Sequence, residues 1–143
     1  MSEPKQVIVM RKDLNMRKGK MIAQGAHASL AVLLEAFLGP HTKREWVVDK
    51  NSEHIMTAEI KLHFDEPMFQ WINSSFKKIV VGAESLSECV EVYRKAKAMS
   101  IPCALIEDKG LTEFGGEVTI TCCAIGPDDP DKIDKITGHL NLL

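Results

Sequence analysis

Short apolar runs alternating with stretches of helical period constrain this chain more than any other feature. QVIVM (6–10), KKIVV (77–81), PCALIED (102–108) and VTITCCAIG (118–126) are dense in β-branched and apolar residues and read as buried strands. Between the first two, Met21, Ile22, Ala26, Leu30, Leu33, Leu34 and Phe37 recur at helical spacing from Lys20 onward, and Gly39-Pro40 stops the helix. LSECVEVYRKAKAMS is a second helix, with Leu86, Val90, Tyr93 and Ala96 or Lys97 along one side; Ser85-x-x-Glu88 gives it a capping box. A last helix has Asp129 as its cap, Pro130 in its first position and Gly138 as its stop. Strand–helix alternation of this kind implies an α/β layered sheet with helices on both faces. The connection from Asp108 to Val118 is too short for a crossover helix, so the last two strands are expected antiparallel and the sheet mixed.

The middle is less regular. MFQWINSSF reads as a short helix. In IMTAEIKLHF, Ile55, Thr57, Glu59, Lys61 and His63 alternate with Met56, Ala58, Ile60, Leu62 and Phe64, which suits an amphipathic strand or a poor helix.

A chain of 143 residues is one domain by length, and buries roughly 70% of its unfolded surface. No apolar run approaches the ~20 residues of a membrane span. The start, MSEPKQVIVM, lacks the basic head and apolar stretch of a signal peptide, so the cytoplasm is the expected compartment. Cys89, Cys103, Cys122 and Cys123 form no CxxC and are expected to be free, mostly buried thiols, the last two on opposite strand faces. The five histidines show no metal-ligand spacing.

The formal net charge is only -2, but its distribution is uneven. Arg11, Lys12, Arg17, Lys18 and Lys20 crowd around Asp13, whereas eight acids face three lysines from Glu107 to the end. A basic patch on a near-neutral chain points to a polyanion touching one place. That patch lies between QVIVM and a helix N-terminus at Gly19-Lys20, where free N–H groups and a partial positive charge favour phosphate or carboxylate, and Gly19 permits close approach. Ligands of open α/β sheets bind beyond the carboxyl ends of the strands. PCALIED ends there with Asp108, followed by Gly110 and Thr112. If the two strands are parallel neighbours, Lys20 and Asp108 meet at one rim. Lys20, Gln24 and His27 fall on one polar stripe of the helix.

Each of these residues also has a plain structural reading. The cations suit a solvated loop. His27 and Gln24 suit hydrogen-bonded structural side chains, and Asp108 a strand-terminal turn. Thr112, Thr119 and Thr121 suit ordinary strand threonines. There is no Walker A motif and no GxSxG elbow. Residue types and spacing alone identify no reaction.

The chain nevertheless resembles the type 2 peptidyl-tRNA hydrolases, the archaeal and eukaryotic kind. The matching segments are KQVIVMRKDLNMRKGKMIAQGAHAS, IPCALIEDKGLTE, VTITCCAIGP and KIDKITGHLNLL. Within them Asp13-Leu14, Gly19-Lys20, Ala23-Gln24 with His27-Ala28, and the closing Thr137–Leu143 meet the family pattern. The resemblance implies a four-stranded mixed sheet between helices and hydrolysis of the ester joining a peptide to the terminal ribose of tRNA. It implies catalytic roles for Lys20, Asp108, Thr112 and Thr121, supporting roles for Gln24 and His27, and no cofactor or metal. A homodimer is common in the family. Arg11, Lys12, Arg17 and Lys18 would hold the acceptor end of the tRNA. Two departures stand out. Lys109 replaces the usual alanine between Asp108 and Gly110, where it would depress the Asp108 pKa, touch RNA or face solvent. The segment from about Val47 to Met68 reads as an insertion. The competing expectations are a non-catalytic tRNA- or phosphate-binding module on the same fold, and an esterase of small acyl substrates.

Overall fold

The computed structural model describes residues 2–37, 44–48, 56–60, 63–111 and 113–143. Its elements run β1 (Lys5–Arg11), α1 (Lys18–Phe37), β2 (Arg44–Val48), β3 (Met56–Ile60), α2 (Glu66–Ile72), β4 (Lys78–Ala83), α3 (Leu86–Ala98), β5 (Cys103–Asp108), β6 (Thr119–Asp128) and α4 (Pro130–Thr137). The main sheet has the order β4-β1-β6-β5. β1 is parallel to β4 and antiparallel to β6, and β6 is antiparallel to β5, so the sheet is mixed and open. β2 and β3 pair antiparallel as a separate ribbon, with Trp46 opposite Ala58. β3 falls within the alternating segment, so the strand alternative is the one observed there. The segment at 47–68 lies partly outside the described residues.

The period of two in the strands sorts the core into two layers. Val7, Val9, Cys103, Cys123 and Ile125 face α3 and α4, where they meet Cys89, Val92, Ala96, Ile133 and Ile136. Ile8, Met10, Ala104, Cys122 and Ala124 face α1 and α2, where they meet Ala28, Val32 and Met68. Each such Val, Ile or Met contributes roughly 1.5–3 kcal/mol by leaving water. All four cysteines are free and buried. Burial pushes the Cys122 thiol up to about 12.

The caps fall where the local signals put them. Ser85 Oγ accepts from the Glu88 N–H at 3.1 Å, and Asp129 caps α4. The closing TGHLNLL covers the outer edge of β4: Gly82 N donates to Asn141 O at 2.9 Å and Leu143 N to Val80 O at 3.1 Å. Among the described residues no helix is long and apolar enough to cross a membrane.

Two helical faces differ from the sequence expectation. In α1 the buried stripe is Gln24, Gly25, Ala28, Ser29 and Val32, while Ile22 is 73% and Leu30 53% exposed. Apolar residues occur all round this helix, and the sheet selects the small ones because they allow close approach. In α3 the buried residues are Cys89, Val92 and Ala96; Leu86 is exposed and Val90 and Tyr93 only half-buried. α1 also begins at Lys18, two residues earlier than the apolar period indicates.

Candidate active site

The rim formed by the end of β5 and the start of α1 gathers four of the residues singled out above. β1 and β5 do run parallel, but they are not neighbours: β6 lies between them and is antiparallel to both. α1 packs across β1, β6 and β5 and so carries Lys20 to the end of β5. Lys20 Nζ stands 2.7 Å from Asp108 Oδ2 across 88 residues of chain, with side chains only 13% and 15% exposed.

One turn further along α1, buried Gln24 spans the gap between β5 and β6. Its Nε2 donates to Asp108 Oδ2 at 3.0 Å, and its Oε1 accepts from the Thr121 hydroxyl at 2.5 Å. Thr121 reaches Gln24 through a β-bulge. Ile106 pairs with Cys122 and Glu107 with Ile120, leaving Thr121 as the extra residue. Two consecutive residues therefore face α1: Thr121, and Cys122, whose thiol lies 3.4 Å from the Gln24 backbone carbonyl oxygen.

Asp108 is fixed from the other side by its own turn. Gly110 N donates to Asp108 Oδ1 at 2.7 Å. Gly110 has φ +76°, and a Cβ there would overlap the backbone of Glu117, so glycine is required. The Lys20 ammonium, then the Gly110 N–H, hold the Asp108 carboxyl below the usual carboxylate range, against partial burial pushing it up. The site thus contains a carboxylate whose charge is secured near neutrality. Lys109 is exposed and is not among the main causes of that depression. Thr112 lies outside the described residues. His27 is exposed on α1.

The basic stretch is largely neutralised from within. Arg11 is buried and donates Nε and Nη2 to the two Asp13 oxygens at 3.1 and 2.6 Å, and Nη1 to Ile120 O at 2.8 Å. This geometry makes Arg11 a clamp between β1 and β6, its guanidinium committed to Asp13 and Ile120. Lys12 pairs with Glu84 at 3.1 Å and Arg17 with Glu113 at 2.8 Å, both partly or largely in solvent. Exposed pairs of this kind are weak, on the order of 0–1 kcal/mol, and a phosphate can displace them. Lys18 is exposed and has no ion pair among the described residues. A Cβ on Gly19 would meet nothing within 4 Å, so the chain itself does not require glycine there, and the space at the helix N-terminus is open.

Two contributors carried no sequence signal. Glu113 anchors Arg17, and the Phe114 ring lies 5.6 Å from Lys20 Nζ. Both belong to the Gly-rich loop between β5 and β6, whose composition announces only a turn.

Comparisons with known proteins point to one family. The family model described as Peptidyl-tRNA hydrolase PTH2 matches residues 4–143. A Methanocaldococcus jannaschii protein named peptidyl-tRNA hydrolase is 40% identical over 139 residues, which cover 97% of this chain and 99% of the relative. One of the same name from Methanothermobacter thermautotrophicus is also 40% identical over 139 residues, with the same coverage. Another from Thermococcus onnurineus is 38% identical over 141 residues, covering 97% of each chain.

Proposed function

The chain belongs to the peptidyl-tRNA hydrolase PTH2 family, and on that premise we propose that Lys20, Gln24, Asp108 and Thr121 form the site at which it acts. The protein hydrolyses peptidyl-tRNA, cutting the ester between the peptide and the terminal ribose. The observation that carries the site assignment is the Lys20–Asp108 pair, nearly withdrawn from solvent at the rim and braced by Gln24.

Ester hydrolysis needs an oriented water and a positive group facing the developing oxyanion. An ionised carboxylate has about four acceptor positions. Lys20 and Gln24 occupy those of Oδ2 and Gly110 N–H one on Oδ1, which leaves Oδ1 able to accept from a water. Water oxygen attacks the ester carbonyl carbon, and the bond to the ribose oxygen breaks. One proton of that water passes to the ribose oxygen, so the ribose leaves as a free hydroxyl and the peptide as a carboxylic acid that ionises to the carboxylate. A carboxylate with a depressed pKa is a weak base. Asp108 therefore chiefly orients the water, and stabilisation of the oxyanion by Lys20 makes the larger contribution. Thr121 acts through Gln24, fixing which end of the amide faces Asp108. Thr112 is assigned to the water or the ribose hydroxyls on the family motif alone. Lys18, with Arg17 and Lys12 once released from their acids, holds acceptor-end phosphates, and the open N-terminus at Gly19 accepts one of them. Lys109 adds an exposed cation beside them.

Residues 1–143 are taken as one domain, with about 47–68 an insertion in it, and the protein is assigned to the cytoplasm as a translation-related enzyme. A homodimer is common in the family, and light scattering tests whether this chain forms one.

The deciding experiment is release of the blocked amino acid from N-acetyl-aminoacyl-tRNA by the wild type and by Asp108→Ala at matched folding. Turnover that collapses in the variant supports both reaction and site. Equal turnover moves the site elsewhere. tRNA binding without turnover in either would mean a binding module.

A further inference from the structure

We propose that Phe114 is a positioning residue for this hydrolysis, its ring holding the Lys20 ammonium against the Asp108 carboxylate. The assignment rests on the hydrolase reading above and names a residue to which neither the motifs nor the family resemblance gives a role.

A lysine carries its charge on a flexible four-carbon stem and is strongly hydrated. To stabilise an oxyanion it must be held in one place with some of that water removed. Asp108 supplies one contact, at 2.7 Å. The Phe114 ring supplies a wall: its centroid lies 5.6 Å from Lys20 Nζ, within the ~6 Å over which an aromatic face attracts a cation. An aliphatic side chain would fill the same volume without that attraction. The ring is itself anchored, since Phe114 is half-buried and packs against the core layer under α1.

Its loop is pinned on both sides. Gly116 N donates to Gly110 O at 2.8 Å and Glu117 N to Phe114 O at 3.1 Å. Glu113, next to the ring, pairs with Arg17, three residues before Lys20. The β5–β6 loop therefore grips the start of α1 at two points, Arg17 just before the helix and Lys20 in its first turn, and Lys20 is held between loop and strand. Among the described residues, the charged groups nearest Lys20 in the fold or the chain are Asp108 from β5, its paired partner, the mutually paired Arg17 and Glu113, and exposed Lys18; Lys109 is exposed on the loop.

The test compares Phe114→Leu, Phe114→Met and Phe114→Tyr with the wild type on N-acetyl-aminoacyl-tRNA across pH, alongside thermal unfolding. Loss of the ring is expected to lower kcat about tenfold with KM unchanged, the size of effect a partly desolvated cation–ring contact supports. The acid limb should move to higher pH, because a loosened Lys20 depresses Asp108 less. Phe114→Tyr should restore both. Wild-type kcat and pH profile in folded Leu or Met variants would overturn the assignment. Equal loss in Leu, Met and Tyr would do so too, by reducing the ring to packing. Absence of turnover in the wild type would instead overturn the hydrolase reading, and this assignment with it.

Discussion

Thr121 donates its hydroxyl to Gln24 Oε1 at 2.5 Å, and the contact exists because Thr121 is the unpaired residue of a bulge in β6. In a regular strand Thr121 and Cys122 would face opposite layers. The bulge turns both toward α1, so one glutamine links the hydroxyl to the Asp108 carboxylate.

Thr121→Val keeps the shape and removes the donor. The Gln24 carbonyl oxygen is then buried without a partner, at a cost of about 1–3 kcal/mol. The urea midpoint should fall accordingly with an unchanged slope. The kcat should fall further than stability accounts for, because the amide is free to turn its oxygen toward Asp108. A wild-type kcat in the folded variant would show that Gln24 is oriented by something else.

The pH dependence follows from Asp108. Its folded pKa lies below the ordinary 3.8, so its contribution to stability is complete above that value and is lost as pH falls through the folded pKa. Activity should therefore show no acid limb from Asp108 at ordinary working pH. Lys20→Gln removes the largest cause of the depression and should bring that limb upward. Asp108→Asn should lower kcat/KM by about 10²-fold, the scale of a lost positioning contact, while leaving tRNA binding in place. A limb that fails to move in Lys20→Gln would place the titrating group elsewhere.

Arg17 is 83% exposed yet tied to Glu113. Phosphate must compete with that carboxylate, so Glu113→Gln should lower KM for tRNA. It should also steepen the fall of affinity with salt by about one counterion. Titration of KM against potassium chloride reads both. Arg11→Gln, in contrast, should act mainly on stability, because its guanidinium is committed to Asp13 and Ile120.

Gly110→Ala combines a disfavoured φ with overlap against Glu117. The left-handed conformation alone costs about 1–2 kcal/mol, and the overlap forces the loop to move. The expected result is a chain that folds with a lower Tm and nearly no turnover, since the loop that fixes Asp108 has shifted. Retained activity would show that the turn tolerates a side chain.

Much of this molecule follows from neighbours along the chain. Runs of β-branched residues marked the main strands. Ser85 and Asp129 marked helix starts, because a cap is formed within three residues of itself. The short step from Asp108 to Val118 required an antiparallel pair. The motifs around Lys20, Gln24 and Asp108 pointed to the family and to the rim where these side chains meet. Other features depend on distant partners and emerged with the packed fold alone. Packing put β6 between β1 and β5, and it chose Ala28 and Val32 over Ile22 and Leu30 for the core. It also left the basic stretch mostly paired: Arg11 with Asp13, Lys12 with Glu84, Arg17 with Glu113 and Lys20 with Asp108. Three of those four acids lie more than 70 residues from their cation, and no spacing rule along a chain reports a contact that the packing of a sheet creates.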